Sequence, residues 1–119
     1  MTIPSEQRAS VTFLSPSAGG RSRPALNSPL YRPHVVVGNP NQRKALLGPN
    51  GDATESYLGI QFTGNGAELT FGVAHEVTLV LTFAPDVDYS QFAQRATFTI
   101  REGAHIVGFG HVLGSRAIR

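Results

Sequence analysis

The chain has 119 residues, room for one hydrophobic core but not for two. It contains no cysteine, which excludes disulfides, thiol catalysis and cysteine-ligated metals and fits a reducing, cytoplasmic setting. Ten Lys plus Arg against eight Asp plus Glu leave a net charge of +2, too small to drive nucleic-acid binding by itself.

All the cations but Lys44 are arginines, which suit bidentate contacts to phosphate or carboxylate. No apolar run approaches the length needed to span a bilayer as a helix, so no membrane partner is expected. The opening MTIPSEQRAS lacks the apolar core of a secretory signal, so the expected location is the cytoplasm.

Thirteen glycines, eight prolines and many short β-branched runs predict strands joined by turns. In chain order, residues 1–8 read as a flexible N-terminus. ASVTFL (9–14) alternates Ala9, Val11 and Phe13 against Ser10 and Thr12, a half-buried strand. Residues 15–33, rich in Pro, Ser and Gly, read as a long loop. HVVVG (34–38) is a short, continuously apolar strand. Residues 39–55 form a second long loop, with a helical turn predicted at 42–47 before GPNGD breaks it.

SYLGIQFT (56–63) sets Leu58, Ile60 and Phe62 on one face. EVTLVLTFA (76–84) does the same with Val77, Leu79, Leu81 and Phe83. A crossover follows at 84–95, with one helical turn predicted at 90–93, then a hairpin over 96–114 and a tail at 115–119. About six strands in so short a chain must close into a barrel or stack as a sandwich, because a flat sheet would leave one apolar face wet. The expected fold is all-β, one domain over 9–114.

The hairpin ATFTIREGAHIVGFGHVLG is the most regular stretch. Gly103-Ala104 fits a two-residue type II′ turn with glycine at the position of positive φ. That turn pairs Glu102 with His105, Arg101 with Ile106, Ile100 with Val107, Thr99 with Gly108 and Phe98 with Phe109. The core face would then carry Phe98, Ile100, Val107 and Phe109. The outer face would carry Thr99 and Arg101 beside the bare Gly108 and Gly110. Strand glycines mark either close approach by another backbone or ligand, or a strong local twist. The first reading makes this strip a docking surface with Arg101 and Glu102 at its rim.

No Gly-x-x-x-x-Gly-Lys-Ser/Thr loop precedes Lys44, so nucleotide binding by that route is excluded. GFG and GNGAELTFG lie on or between strands rather than before a helix, so neither reads as a dinucleotide motif, and no cofactor is expected. His34, His75, His105 and His111 lack metal-ligand spacing. Asp86 and Asp88 read as a solvated turn. No catalytic set is expected.

FTIREGAHIVGFG (98–110) resembles the signature near the end of translation elongation factor Tu, where an Ile-Arg-Glu-Gly turn precedes Val-Gly-x-Gly. GGR (19–21), YRPHVVV (31–37) and LTFGVAHEVTLVLTFAPDV (69–87) are similar to other pieces of the same C-terminal, third domain, in the same order. The resemblance covers about residues 9–114 and implies a six-stranded antiparallel β-barrel that does no chemistry. It also implies that the GTPase domain and the second barrel have no counterpart in this chain.

In that family the barrel packs on the GTPase domain, contacts the T-stem of aminoacyl-tRNA and is touched by the nucleotide-exchange factor. By position, Arg32, Arg101, Glu102 and Gly103 become candidate contacts, and Thr99 falls where the barrel meets the GTPase domain. The chain departs from the pattern in its longer 39–55 link, in His75-Glu76 for the usual Gly-Asp, and in Ser22 and His34 for the usual His and Gln. Thr78 stands where the family commonly has a lysine, which weakens an RNA reading.

Two functions follow as expectations. The first is a non-enzymatic module that binds a translation-related protein partner through the face vacated by the GTPase domain, using Thr99, Arg101, Glu102, Gly103, Gly108, Gly110 and Arg32. The second is tRNA binding with Arg32, Arg101, Arg43 and Lys44 on phosphates. A barrel holding a small ligand ranks last, since small barrels fill with side chains.

Overall fold

The computed structural model describes residues 6–52 and 54–115. Among the described residues eight strands form: β1 (Glu6–Phe13), β2 (Ala25–Asn27), β3 (His34–Val37), β4 (Leu58–Phe62), β5 (Ala67–Leu69), β6 (His75–Leu81), β7 (Thr97–Glu102) and β8 (His105–Ser115). Six of them close into an antiparallel barrel in the order β1-β6-β4-β3-β7-β8, and β2 pairs with β5 in a separate two-stranded sheet. The only helical turn among the described residues is a 3₁₀ turn at Pro16–Ala18. No helix among them is long and apolar enough to cross a membrane.

Alternation explains the barrel directly. On β1, Gln7, Ala9, Val11 and Phe13 are buried; on β4, Leu58, Ile60 and Phe62; on β6, Val77, Leu79 and Leu81. These inward faces meet in one core with Val35, Phe98, Ile100, Val107 and Val112. Closing the sheet on itself removes both edges, which would otherwise present unpaired backbone groups.

Antiparallel pairing sets two ends. At the upper end β1 finishes at Phe13 and β7 turns into β8. The loop 14–33 and the segment 63–74 cover this end, and they carry the small β2–β5 sheet. Tyr31 plugs the mouth against Phe13 and Phe62, with ring centroids 6.1 and 5.1 Å away. At the lower end the crossover 82–96 drops Phe92 onto Phe98, centroids 5.1 Å apart, and buries Tyr89, whose hydroxyl donates to the carbonyl of Gly59 (2.6 Å).

Several expectations need correction. Glu6–Arg8 belong to β1 rather than to a flexible N-terminus, because Gln7 continues the inward alternation; residues 1–5 and 116–119 lie outside the described residues. No helix forms at 42–47 or 90–93; both stretches are turns and irregular chain. Phe83 does not join the β6 face, because β6 ends at Leu81 and the chain turns outward, leaving Phe83 53 % exposed. The β2–β5 pair was not foreseen, since three-residue strands give too short an alternation to register.

The largest correction is in the hairpin. Glu102 pairs with His105 and Arg101 with Ile106, as the register predicts, but Ile100 then pairs with Gly108 and Phe98 with Gly110. Val107 is the extra residue of a β-bulge, which shifts the phase of β8 by one and exchanges its faces. Gly108 and Gly110 therefore point into the barrel, and Phe109 moves outside, level with Thr99. A Cβ on Gly110 would lie 2.1 Å from the Ser10 carbonyl oxygen and 2.9 Å from the Phe98 ring; one on Gly108 would lie 2.7 Å from the Thr12 carbonyl. The close approach that these glycines serve is to β1 of their own barrel.

Candidate interaction surface

The outer face of β7 is not bare. Arg101 faces outward from the barrel yet is wholly buried, because the chain between β3 and β4 runs across it. Its guanidinium grips Glu55 with two bonds, Nη1 to Oε1 (2.7 Å) and Nη2 to Oε2 (3.2 Å). It also donates to the Tyr57 hydroxyl (3.1 Å) and to Oγ1 of Thr99 (3.0 Å), and stacks 5.3 Å over the Tyr57 ring. Glu55 in turn accepts from Gln42 Nε2 (3.0 Å) and from the Leu46 amide (2.8 Å).

The hydrogen bonds from Arg101, with those from Gln42 and Leu46, hold the Glu55 carboxyl down at about 2 against its ordinary 4.5, although burial pulls the other way. Burial alone would lower the pKa of Arg101, but the bonds to Glu55 and Tyr57 outweigh it and leave the guanidinium above its ordinary range. The long 39–55 link is thus a strap pinned by one buried ion pair. Farther along the same face, the Arg43 guanidinium lies 5.2 Å over the ring of Phe109. Thr99 is buried beneath this cover, so neither Thr99 nor Arg101 is available as a partner or phosphate contact as the chain is folded. Gly108 and Gly110 are excluded by their inward orientation.

The other half of the Arg-Glu-Gly turn faces the upper end. Glu102 accepts from Arg21 Nε (2.5 Å) and from the Tyr31 hydroxyl (2.7 Å), while Arg21 lies 5.3 Å over the Tyr31 ring. Burial, and then the neighbouring Glu102 carboxylate, push the Tyr31 hydroxyl far above its ordinary range, so it stays a neutral donor. His105 Nε2 contacts the Gly19 carbonyl oxygen at 2.5 Å. These bonds tie loop 14–33 to the β7–β8 turn. Gly103 is exposed at the tip with φ of +61°, the positive value the predicted turn requires.

The tied-down loop presents a surface that strand periodicity could not reveal. Leu30 is 90 % exposed and Leu26 47 % exposed, and both line a groove of about 290 Å³ with Arg21, Arg23, Pro24, Ser28 and Tyr31. Its neighbour, a depression of about 430 Å³, is lined by Gly20, Arg21, Ser22, Arg23, Glu102 and His105. Arg32 stands exposed beside Tyr31, its Nε donating to the Pro29 carbonyl (3.2 Å). Of the predicted contacts, Arg32, Glu102 and Gly103 therefore belong to the upper end. Arg43 and Lys44 are exposed on the strap. The signal available in the sequence was the unpatterned pair Leu26 and Leu30 in a Pro- and Arg-rich loop. No protein-family model matches the chain, and no curated protein matches it.

Proposed function

We propose that this chain is a non-enzymatic interaction module that binds a protein partner through the loop surface at the upper end of the barrel. The observation that carries this reading is the exposure of Leu30 and Leu26 in one groove beside arginines and a tyrosine. Tyr and Arg are enriched where binding energy concentrates, and apolar side chains held in the open by an ordered loop gain most from being covered. The likeness to the third barrel of elongation factor Tu supports a scaffold that works by contact, in the cytoplasm, on a translation-related partner. The face which that likeness would leave vacant is filled by the chain's own strap, so the partner surface moves to the neighbouring end.

The test compares wild-type protein with Leu30→Glu as bait in ribonuclease-treated extract, followed by calorimetry with the purified captured protein. Wild type retains the partner and Leu30→Glu weakens it by at least about tenfold with the melting temperature unchanged. Equal capture by both baits overturns the reading.

The alternative is tRNA binding, favoured by the exposure of Arg32, Arg43 and Lys44. Arg101 leaves that set because its donors are taken up by Glu55, Tyr57 and Thr99.

A further inference from the structure

The two depressions at the upper end share a wall. Arg21 and Arg23 line both the leucine groove and the polar depression next to it. A ligand seated in one therefore abuts the other, and the pair differ in chemistry. The first offers Pro24, Leu26, Leu30 and the Tyr31 ring; the second offers guanidinium edges, the Ser22 hydroxyl and His105.

The charge at this end is unevenly spent. Glu102 is committed to Arg21 and Tyr31. Glu68 stands across the β2–β5 ladder from Leu26. Arg23 and Arg32 have no acidic partner among the described residues, and both are exposed. Glu102 also shows what the surface accepts: one carboxylate already sits there, taking a guanidinium and a phenol at 2.5 and 2.7 Å.

From this we infer that the partner presents an acidic, leucine-bearing segment: an aliphatic side chain enters the groove between Leu26 and Leu30, and an adjacent carboxylate meets Arg23 in the polar depression, with Arg32 flanking. The inference rests on the protein-binding reading above and adds the chemistry of the partner. The groove is at the small end of ligand-pocket sizes, which suits one or two side chains of a peptide rather than a whole cofactor. An arginine fork at the rim of an apolar slot selects against basic segments, because like charges set side by side repel.

The experiment selects binders from a displayed library of random 12-residue peptides on the full chain, with Leu30→Glu protein as the counter-selection. The expected pool is enriched in Asp or Glu adjacent to Leu, Ile or Val. Its members lose at least about tenfold in affinity on Arg23→Glu, and again when their acids are replaced by amides. Since Arg23 and Arg32 are exposed, their charge reversal leaves the fold intact, which circular dichroism checks. Neutral or basic binders that still require Leu30 overturn the acidic chemistry while leaving the groove as the binding surface. Binders indifferent to Leu30, or no binders at all, overturn the inference. A 12-nucleotide single-stranded RNA that displaces the peptides and binds more tightly assigns the arginines to phosphate and overturns it as well.

Discussion

Arg101 and Glu55 form a buried ion pair whose value depends on both partners being present. Removing one leaves an uncompensated charge, so Arg101→Ala is expected to cost on the order of 3–5 kcal/mol, read as a loss in chemical denaturation. The pair also makes a pH prediction. The folded value for Glu55, about 2, lies below the ordinary 4.5. The bond's contribution is therefore fully present above pH 4.5 and is lost as pH falls towards 2. Stability curves of wild type and Glu55→Gln should differ by a constant amount at neutral pH and draw together across that acid window. A difference that does not change there would show that the carboxylate is not ionically held. Asp88, whose carboxyl is lowered by the Ser90 amide, titrates in both proteins and cancels in the comparison.

At the scale of the element, the hairpin is decided by a single bulge. Without it, Gly108 and Gly110 would lie outside and tolerate large side chains. With it, they pack against β1, and Gly110→Ala must push a Cβ into the Ser10 carbonyl and the Phe98 ring. A loss of about 1–3 kcal/mol is expected, the range for overpacking a filled core, as a lowered thermal midpoint. Ala at 110 with unchanged stability would place the glycine outside. The strap gives the complementary forecast. Replacing residues 43–54 by a short Gly-Ser link should strip Gln42 and Leu46 from Glu55 and raise hydrogen exchange at Thr99 and Arg101, while the β1–β6 ladder keeps its protection.

Over the whole molecule, the protein and RNA readings separate by salt. If tRNA binds through Arg32, Arg43 and Lys44, affinity should fall steeply between low and moderate salt, by a power set by the number of phosphates neutralised. Charge neutralisation of those three residues should flatten that dependence. A contact centred on Leu26 and Leu30 should change little with salt in its apolar part and collapse on Leu30→Glu. An RNA titration flat at low salt removes the second reading altogether.

The division between what could be read in the residues and what needed the fold follows from the range of the forces involved. Alternation on β1, β4 and β6, the extent of β3 and the glycine turn at 103 are local, written at a spacing of two or in one residue's backbone freedom, and so the all-β class was legible in advance, whereas the choice of a closed barrel over a sandwich is a matter of which strands pair. The face of Gly108 and Gly110 was not, because a bulge is set by how β8 must bend to meet both β1 and β7. Nor was the burial of Arg101 legible, since its carboxylate partner lies 46 residues away in a stretch without periodicity. The leucine groove exists only because Glu102 and His105 pin down loop 14–33 from across the barrel mouth. Periodicity determines which side chains face the core along an unbroken strand; contacts between distant segments decide where that alternation breaks and what the outside of the core is free to touch.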